Sequence, residues 1–577
     1  MENAEKPGRV LLAAAVVFLA ALAVHAPAIS GNLLWDDASF LAANPFASNC
    51  GSLSAALNPA NLVKVLPVPM SARPVVNITL IADACAGSGA AGKKITNLLL
   101  HACASALLFL LALTLSGALL PSAAAAALFA MHPAAAEAIN VIVFRSHLLG
   151  LCFFLAALLA SVYYARKPAL AAAAAAAGCA LLGMLSVETC AVVPAAAAAA
   201  VYFDSGRAGL RRLLPALAAL LLALSFYAWF WVPRAGYDIT GASSPGVRTA
   251  SFIYPGAILG SALPARRAAL PARWRAVYAS HRTNLYTMAG VAASYAHDAV
   301  NPRRLSPDYA PEVVTTLRRA ALPLLFCLAW AGTAGFLLYR RSLAGLGLAL
   351  AALALLPALN LVPMYNLKAD RYLYFPLAGA ALLAAGLLRA PGRPALRWTA
   401  AAGLMLLFVL VSLRRAPVFH NELSFFAEAV RLAPGSPRAQ GNLAAALLRA
   451  GDCPAACAHA GAAAGLDAAN PALRLRLAYT LAACGRPVQA LPEARAALGA
   501  DPASGDALYL AGLLDLRRDR AAGRALLEKA LAADPSLYEA RLTLALLDKK
   551  IARELSRDDK TAMEALAGFY RSAGLFF

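Results

Sequence analysis

Nine uninterrupted apolar runs constrain this chain more than any other feature: Val10–Ala28, Ile95–Leu115, Leu148–Ala165, Ala169–Leu185, Leu213–Val232, Ala320–Tyr339, Leu343–Leu361, Tyr372–Leu388 and Trp398–Leu413. Each approaches the roughly 20 residues that a helix needs to cross a hydrocarbon core. Two shorter stretches, Leu119–Met131 and Cys190–Phe203, bring the expected number of spans to eleven. Only 14% of the 577 residues are charged, against about 25% in a soluble domain. The composition therefore predicts a polytopic, all-α membrane bundle. The first run is too long for a signal-peptide core, and His25-Ala26-Pro27 is a poor cleavage site. A retained helix with Lys6 and Arg9 in the cytoplasm is expected.

The formal net charge of +21 suggests nucleic acid at first sight, but its placement argues otherwise. Counting spans from a cytoplasmic N-terminus, the inner connections include RK, DSGRAGLRR, YRRS and RAPGRPALR, each short and basic. This is the positive-inside pattern four times over. Residues 29–94, 132–147, 186–189, 233–318 and 362–371 then face outward, as does everything beyond Leu413. The polar chemistry is therefore expected on the outer face of the membrane, in a periplasm or a lumen.

Of ten cysteines, Cys103, Cys152, Cys179, Cys190 and Cys327 fall in apolar spans and read as small hydrophobes. Cys50 and Cys85 share the first outer loop, and Cys453, Cys457 and Cys484 share the tail, where an oxidising compartment permits disulfides. No cysteine–histidine spacing points to a metal.

From about Ala427 the composition changes. AVRLAPGSP, AALGADPAS and KALAADPSL end three segments alike, with Pro434, Pro502 and Pro535 lying 68 and 33 residues apart. Gly451 and Gly485, 34 apart, mark turns. A period near 34 predicts tetratricopeptide-type helix pairs stacked into an α-solenoid. We expect a membrane domain over 1–415 and a repeat domain over 416–577, with about three repeats and a charged helix near Leu546–Glu564.

Short motifs punctuate the outer segments: WDDASFLAANP, Arg73-Pro74, TNLLLH, HPAAAEA, Arg145-Ser146-His147-Leu-Leu, Glu188, P-x2-LSPDY and RYLYFP. In this order, and followed by such repeats, they resemble the transmembrane and tetratricopeptide-repeat protein O-mannosyltransferases, a family within the GT-C glycosyltransferases. The resemblance spans nearly the whole chain. It departs where Val187 precedes Glu188 and where Arg145-Ser146-His147 replaces a more usual Gly-Arg-Ala/Lys-Asp. It implies a polyprenyl-phosphate-linked sugar as donor, mannose by resemblance, and no cofactor or metal. The acceptor would be a Ser or Thr hydroxyl of an exported polypeptide, brought in by the repeats.

Such chemistry needs a base for the acceptor hydroxyl and cations for the departing phosphate. Asp36 and Asp37 are the candidate catalytic pair, Asp37 being preferred because it lies nearer Asn44-Pro45. Arg73, His132, Arg145, His147 and Arg371 are candidates for phosphate, with Glu137, Glu188 and Tyr374 as further substrate-binding candidates. Each has a plain structural alternative: a cap for His132, an ion pair for either glutamate, snorkelling for Arg371, an interfacial aromatic for Tyr372 or Tyr374. His101, inside a span, reads as a buried hydrogen-bonding residue. Two other functions compete: a transferase acting on lipid-linked or cell-wall glycans, and a non-catalytic repeat scaffold anchored in the membrane. A transporter would require broken helices in paired halves, which the sequence does not display.

Overall fold

The computed structural model describes residues 6–37, 49–57, 73–231, 280–360, 366–535, 537–548 and 557–572, with 41, 277 and 552 as isolated positions. Asn44-Pro45 and most of the long 233–318 loop lie outside the described residues. Every regular element among them is helical. The chain divides into two compact units, one ending at Phe425 and the other beginning at Phe426. The boundary thus falls about ten residues beyond the expected end of the membrane domain, because Ala416–Phe419 belongs to the first unit.

The first unit contains α1 (Pro7–His25), α2 (Pro74–Cys85), α3 (Ala90–Ser116), α4 (Leu119–Ala130), α5 (Arg145–Arg166), α6 (Leu170–Met184), α7 (Val193–Ser225), α8 (His281–Asp298), α9 (Leu317–Tyr339), α10 (Leu343–Leu355), α11 (Asp370–Arg389) and α12 (Pro394–Arg415). Among the described residues seven helical stretches are long and apolar enough to cross a membrane, whereas α2, α4, α6 and α10 are shorter apolar helices. Of the eleven expected spans, which included two shorter ones, fewer are therefore long enough to cross by length alone. At 1.5 Å per residue, the twelve residues of α4 cover only about 18 Å of a hydrocarbon core roughly 30 Å thick.

The two runs expected around Cys190–Phe203 and Leu213–Val232 fall in one nearly continuous helical stretch, interrupted at Gly206, whose φ is 63°. A Cβ placed on Gly209 would lie 3.2 Å from the Val201 side chain, eight residues earlier. In a straight helix that separation is about 12 Å. The chain doubles back here, so the pair of expected segments survives as a hairpin. The left-handed glycine is what permits it.

Lipid-facing positions explain the exposed apolar residues. On α9, Leu322, Leu325, Leu328 and Phe336 are mostly exposed, which water would penalise and hydrocarbon would not. Between helices, small residues let backbones approach. A Cβ on Gly347 of α10 would meet the backbone nitrogen of Leu383 in α11 at 2.3 Å, and one on Gly379 would meet that of Ala351 at 2.4 Å.

The basic connections gather at one end of this unit. Arg166 pairs with Asp204, and Arg341 donates to the carbonyl of Phe203 at 2.9 Å. Arg212 reaches the carbonyl of Ala165 at 3.3 Å, and Ser116 bonds Ser122 at 2.9 Å. These are the connections that the alternation assigned to a common side.

The second unit carries the repeats. Its helix pairs are α14 (Pro437–Arg449) with α15 (Cys453–Leu466), α16 (Pro471–Ala483) with α17 (Pro487–Ala500), and α18 (Gly505–Asp515) with α19 (Arg520–Ala533), preceded by α13 (Glu422–Leu432), which begins in the first unit. The first helices of the pairs begin 34 residues apart, each entered through a capping side chain: Ser436, Asn470 and Ser504 accept from backbone N–H groups at 3.1–3.2 Å. Gly451 and Gly485 take positive φ at the turns. Among the described residues two further helices follow, α20 (Tyr538–Leu547) and α21 (Arg557–Ser572). Both overlap the charged helix expected at Leu546–Glu564, and most of the residues between them lie outside the described residues.

Candidate functional site

The opposite end of the membrane unit from the basic connections collects the outer motifs. Trp35 precedes the aspartate pair with φ 50°, a conformation that costs a residue with a Cβ of order 1–3 kcal/mol and that clusters at functional sites. It is held there by a hydrogen bond from its N–H to Glu422 (3.1 Å) and by ring contacts with Phe144 and Phe425, both at 5.9 Å. Asp36 and Asp37 follow on one turn, yet their surroundings differ completely.

Asp37 is fully buried. Its carboxylate accepts the backbone N–H groups of Leu34 (3.2 Å), Ile142 (3.1 Å) and Val143 (3.0 Å). It therefore ties the first outer loop to the connection between α4 and α5. Burial pushes its pKa up to about 7 against the pull of those three donors. Asp36 is half-buried and lies within electrostatic reach of the Arg371 guanidinium. The geometry separates the two: Asp37 spends its carboxylate on backbone donors, and Asp36 is the one within reach of Arg371.

Arg371 opens α11. Its backbone N–H donates to Glu137 Oε2 at 2.7 Å and its guanidinium to Oε1 of the same residue. The guanidinium lies over the rings of Phe144 (4.2 Å), Tyr372 (4.9 Å) and Trp35 (5.8 Å). Glu137 thus serves as the counter-ion and orienter of Arg371. Arg73, at the start of α2, forms a fork with Glu188, with contacts of 2.9–3.2 Å, and reaches Ser146 Oγ at 3.3 Å. His147 bonds the same Ser146 at 3.2 Å and stands 6.3 Å from the Tyr372 ring. It lies within the fields of both Arg371 and Arg73. Asp36, Arg73, His147, Glu188, Arg371 and Tyr372 therefore form one neighbourhood assembled from five chain segments.

Three other candidates stand apart from it. Arg145 is fully buried and spends its guanidinium on Asp83, Asn97 Oδ1 (2.7 Å), the Thr79 carbonyl (3.1 Å) and the Lys93 carbonyl (2.9 Å). It binds α2, α3 and α5 together, and its nitrogens already have their partners. His132 accepts the N–H of Ala134 at 3.1 Å and meets the Ala299 carbonyl at 3.3 Å. Burial lowers its pKa to about 3, so the ring is neutral and acts as a cap. Tyr374 lies inside the bundle with its hydroxyl 2.9 Å from His101 Nδ1, and His101 is the buried hydrogen-bonding residue expected of it.

Further ion pairs frame the same end. Lys368 donates to Asp298 at 2.6 Å, Arg415 donates to Asp370 at 2.8 Å, and Tyr309 of the LSPDY stretch bonds the other oxygen of Asp370. One charged residue escaped sequence reasoning. Lys94 on α3 is fully buried, and among the described residues its Nζ has no hydrogen-bond partner. It lies within electrostatic reach of Asp37. A Cβ on Gly31 would come within 2.6 Å of its Nζ, so the glycine makes room for it. The signal was legible: two lysines near a helix N-terminus oppose the macrodipole.

An apolar cavity of about 360 Å³ lies between α8, α9, α10 and α11, lined by residues including Phe326, Trp330, Leu373 and Pro376. Tyr295 lies at its wall, and its hydroxyl donates to the Ala369 carbonyl at 3.0 Å, two residues before Arg371.

Cys50 is disulfide-bonded to Cys85, and Cys453 to Cys484. No protein-family model and no curated protein matches this sequence. Among solved structures, the chain is similar to MamA 41-end from Desulfovibrio magneticus RS-1 at 22% identity, covering 28% of this chain and 89% of that one with a TM-score of 0.21. That likeness is too slight to bear on function.

Proposed function

We propose that the chain is a GT-C-type glycosyltransferase that moves a sugar, mannose by resemblance, from a polyprenyl-phosphate carrier to Ser or Thr hydroxyls of exported polypeptides. The reading places the work on the periplasmic face of a bacterial inner membrane. The observation that carries it is the half-buried Asp36 beside Arg371 where the outer segments converge. In this reading Asp36 takes the proton from the acceptor hydroxyl as the hydroxyl oxygen attacks the anomeric carbon. The bond from that carbon to the carrier phosphate oxygen breaks, and the phosphate leaves with the electron pair. Arg371, Arg73 and His147 are the donors placed to stabilise its charge. Arg371 carries a counter-ion already, which holds it in orientation within electrostatic reach of Asp36. The apolar cavity beneath Tyr295 suits the hydrocarbon chain of such a carrier.

Two observations support the orientation. The basic connections share the end opposite the carboxylates, and the disulfides fall in segments assigned to an oxidising side. The repeats, on this reading, recruit the acceptor polypeptide.

The test is to incubate membranes containing the chain with radiolabelled polyprenyl-phosphate sugars, one sugar at a time. Label entering protein in a form released by alkaline β-elimination supports the proposal. Label entering lipid-linked or cell-wall glycan instead favours the other transferase reading. No chain-dependent transfer from any carrier would overturn it.

A further inference from the structure

The inner face of the repeat unit already has an occupant. Helices α14, α16 and α18 contact one another directly, as do the members of each pair, so they form the tighter, inner layer of the superhelix. Along that layer two adjacent rows recur at the 34-residue period: Asn442 with Arg476 and, one position earlier in the repeat, Tyr509 with Thr543. The first row bonds to itself, Arg476 donating to Asn442 Oδ1 at 3.1 Å. The second bonds to Tyr570 of α21. The Tyr570 hydroxyl is 2.6 Å from that of Tyr509 and 2.6 Å from that of Thr543. Thr543 gives its own proton to the Glu539 carbonyl at 2.7 Å. The bonds therefore run one way: Tyr509 donates to Tyr570, Tyr570 to Thr543, and Thr543 to the backbone.

A helix that merely closes the end of a solenoid touches the last pair. α21 goes further back. It is held on α20 through Asp559, which accepts from Tyr538 and from Arg541 at 3.3 Å. It then reaches α18 at Tyr509, and Tyr479 of α16 packs against the same apolar cluster within electrostatic reach of Tyr570. Its contribution to that cluster, Met563, Leu566 and Tyr570, follows i, i+3 and i+7 spacing. Tyr570 itself is fully buried. This is the way an amphipathic helix lays anchors into a groove.

We propose that α21 is a resident ligand of the concave face, and that the polypeptide this face receives is an amphipathic helix with an aromatic anchor that takes α21's place. The inference rests on the reading that the repeats bind polypeptide, and not on the chemistry of the membrane unit. Because α21 is tethered, its effective concentration at the seat is of millimolar order, so an incoming helix competes against a large local excess.

The probe is a fluorescent peptide with the sequence of residues 557–572, added to the full-length chain in detergent micelles and followed by anisotropy. The wild-type chain should take it up poorly. Tyr570→Ala in the full-length chain should bind the probe at least about tenfold tighter, because the tethered competitor is weakened. Adding Tyr509→Ala to that variant, or replacing the probe's own tyrosine by alanine, should remove the binding. Helical signal and thermal melting establish that the variant array is folded. If Tyr570→Ala does not fold, Tyr570→Phe, which keeps the ring and loses the hydroxyl chain, is measured in the same way and should show a gain of a few fold. A folded variant that takes up no probe, or equal uptake by wild type and variant, would overturn the proposal and leave α21 as an ordinary terminal helix. Neither result depends on sugar transfer, so failure here and failure of the transferase reading are separable.

Discussion

The two units of this chain use charge in opposite ways. In the membrane unit the ion pairs at the end away from the basic connections are buried or half-buried and join distant sequence: Glu137 with Arg371 across 234 residues and Arg145 with Asp83 across 62, both buried, and the half-buried Arg73 with Glu188 across 115. In the repeat unit they are more exposed and local. Arg474 meets Glu493 across 19 residues, Arg495 meets Asp515 across 20 and Arg524 meets Asp548 across 24. The first kind holds a three-dimensional arrangement that no local element could hold alone. The second follows from the helix-pair geometry and decorates it. A buried charge that loses its partner is expensive, whereas an exposed pair contributes little.

That contrast can be broken most forcefully at Arg145. Arg145→Ala leaves Asp83 without its buried cation, and we expect a loss of about 3–5 kcal/mol, read as a lowered unfolding midpoint in detergent. A loss under about 1 kcal/mol would mean that the pair is no more than a surface contact.

Asp37→Ala comes next. It strands the N–H groups of Leu34, Ile142 and Val143, at about 1–3 kcal/mol for each buried donor left unmade. We expect destabilisation of several kcal/mol in total, reduced by whatever water enters. Unchanged stability would contradict the framework role.

The same residue gives the unit a pH dependence of definite sign. The carboxyl ionises near pH 4 in an unfolded chain but at about 7 in the folded one. The folded state thus holds the proton more tightly, and the stability this contributes, complete below about pH 4, is lost as pH rises through about 7. Unfolding midpoints measured between pH 5 and 8 should fall in the wild type and flatten in Asp37→Asn.

The smallest effect is expected in the repeats. Arg524→Ala removes two exposed or half-exposed pairs, with Glu528 and Asp548, and its total cost should stay within about 1 kcal/mol. A larger loss would erase the distinction between the units.

The same contrast explains what the sequence made legible. The repeats were readable because a 34-residue period, capping residues and turn glycines are local signals. The membrane character was readable for the same reason. Span count was less so, because α4 and α6 are apolar but short, whereas the turn at Gly206 was announced by the basic DSGRAGLRR stretch that contains it. At the site, residue types were legible and roles were not. Nothing in WDDASF tells Asp36 from Asp37, since what separates them is three N–H groups, two of them more than 100 residues away. Arg145 and His132 looked like phosphate ligands for want of knowing that Asp83, Asn97 and Ala299 would be there. Tyr374 sits two residues inside α11 from Tyr372, and that step carries it from the outer neighbourhood into the bundle.

The most direct test sets the two aspartates against each other in one assay. Transfer from the polyprenyl-phosphate sugar, donor affinity and unfolding midpoint are measured for Asp36→Asn and Asp37→Asn after equal membrane insertion is established. The account predicts that Asp36→Asn keeps its stability and donor affinity but loses about 100- to 10,000-fold in transfer rate, as removal of a general base does. Asp37→Asn should lose stability first, and activity only in proportion. Full transfer by Asp36→Asn, or a stable Asp37→Asn variant that alone is inactive, would contradict the assignment of the base to Asp36.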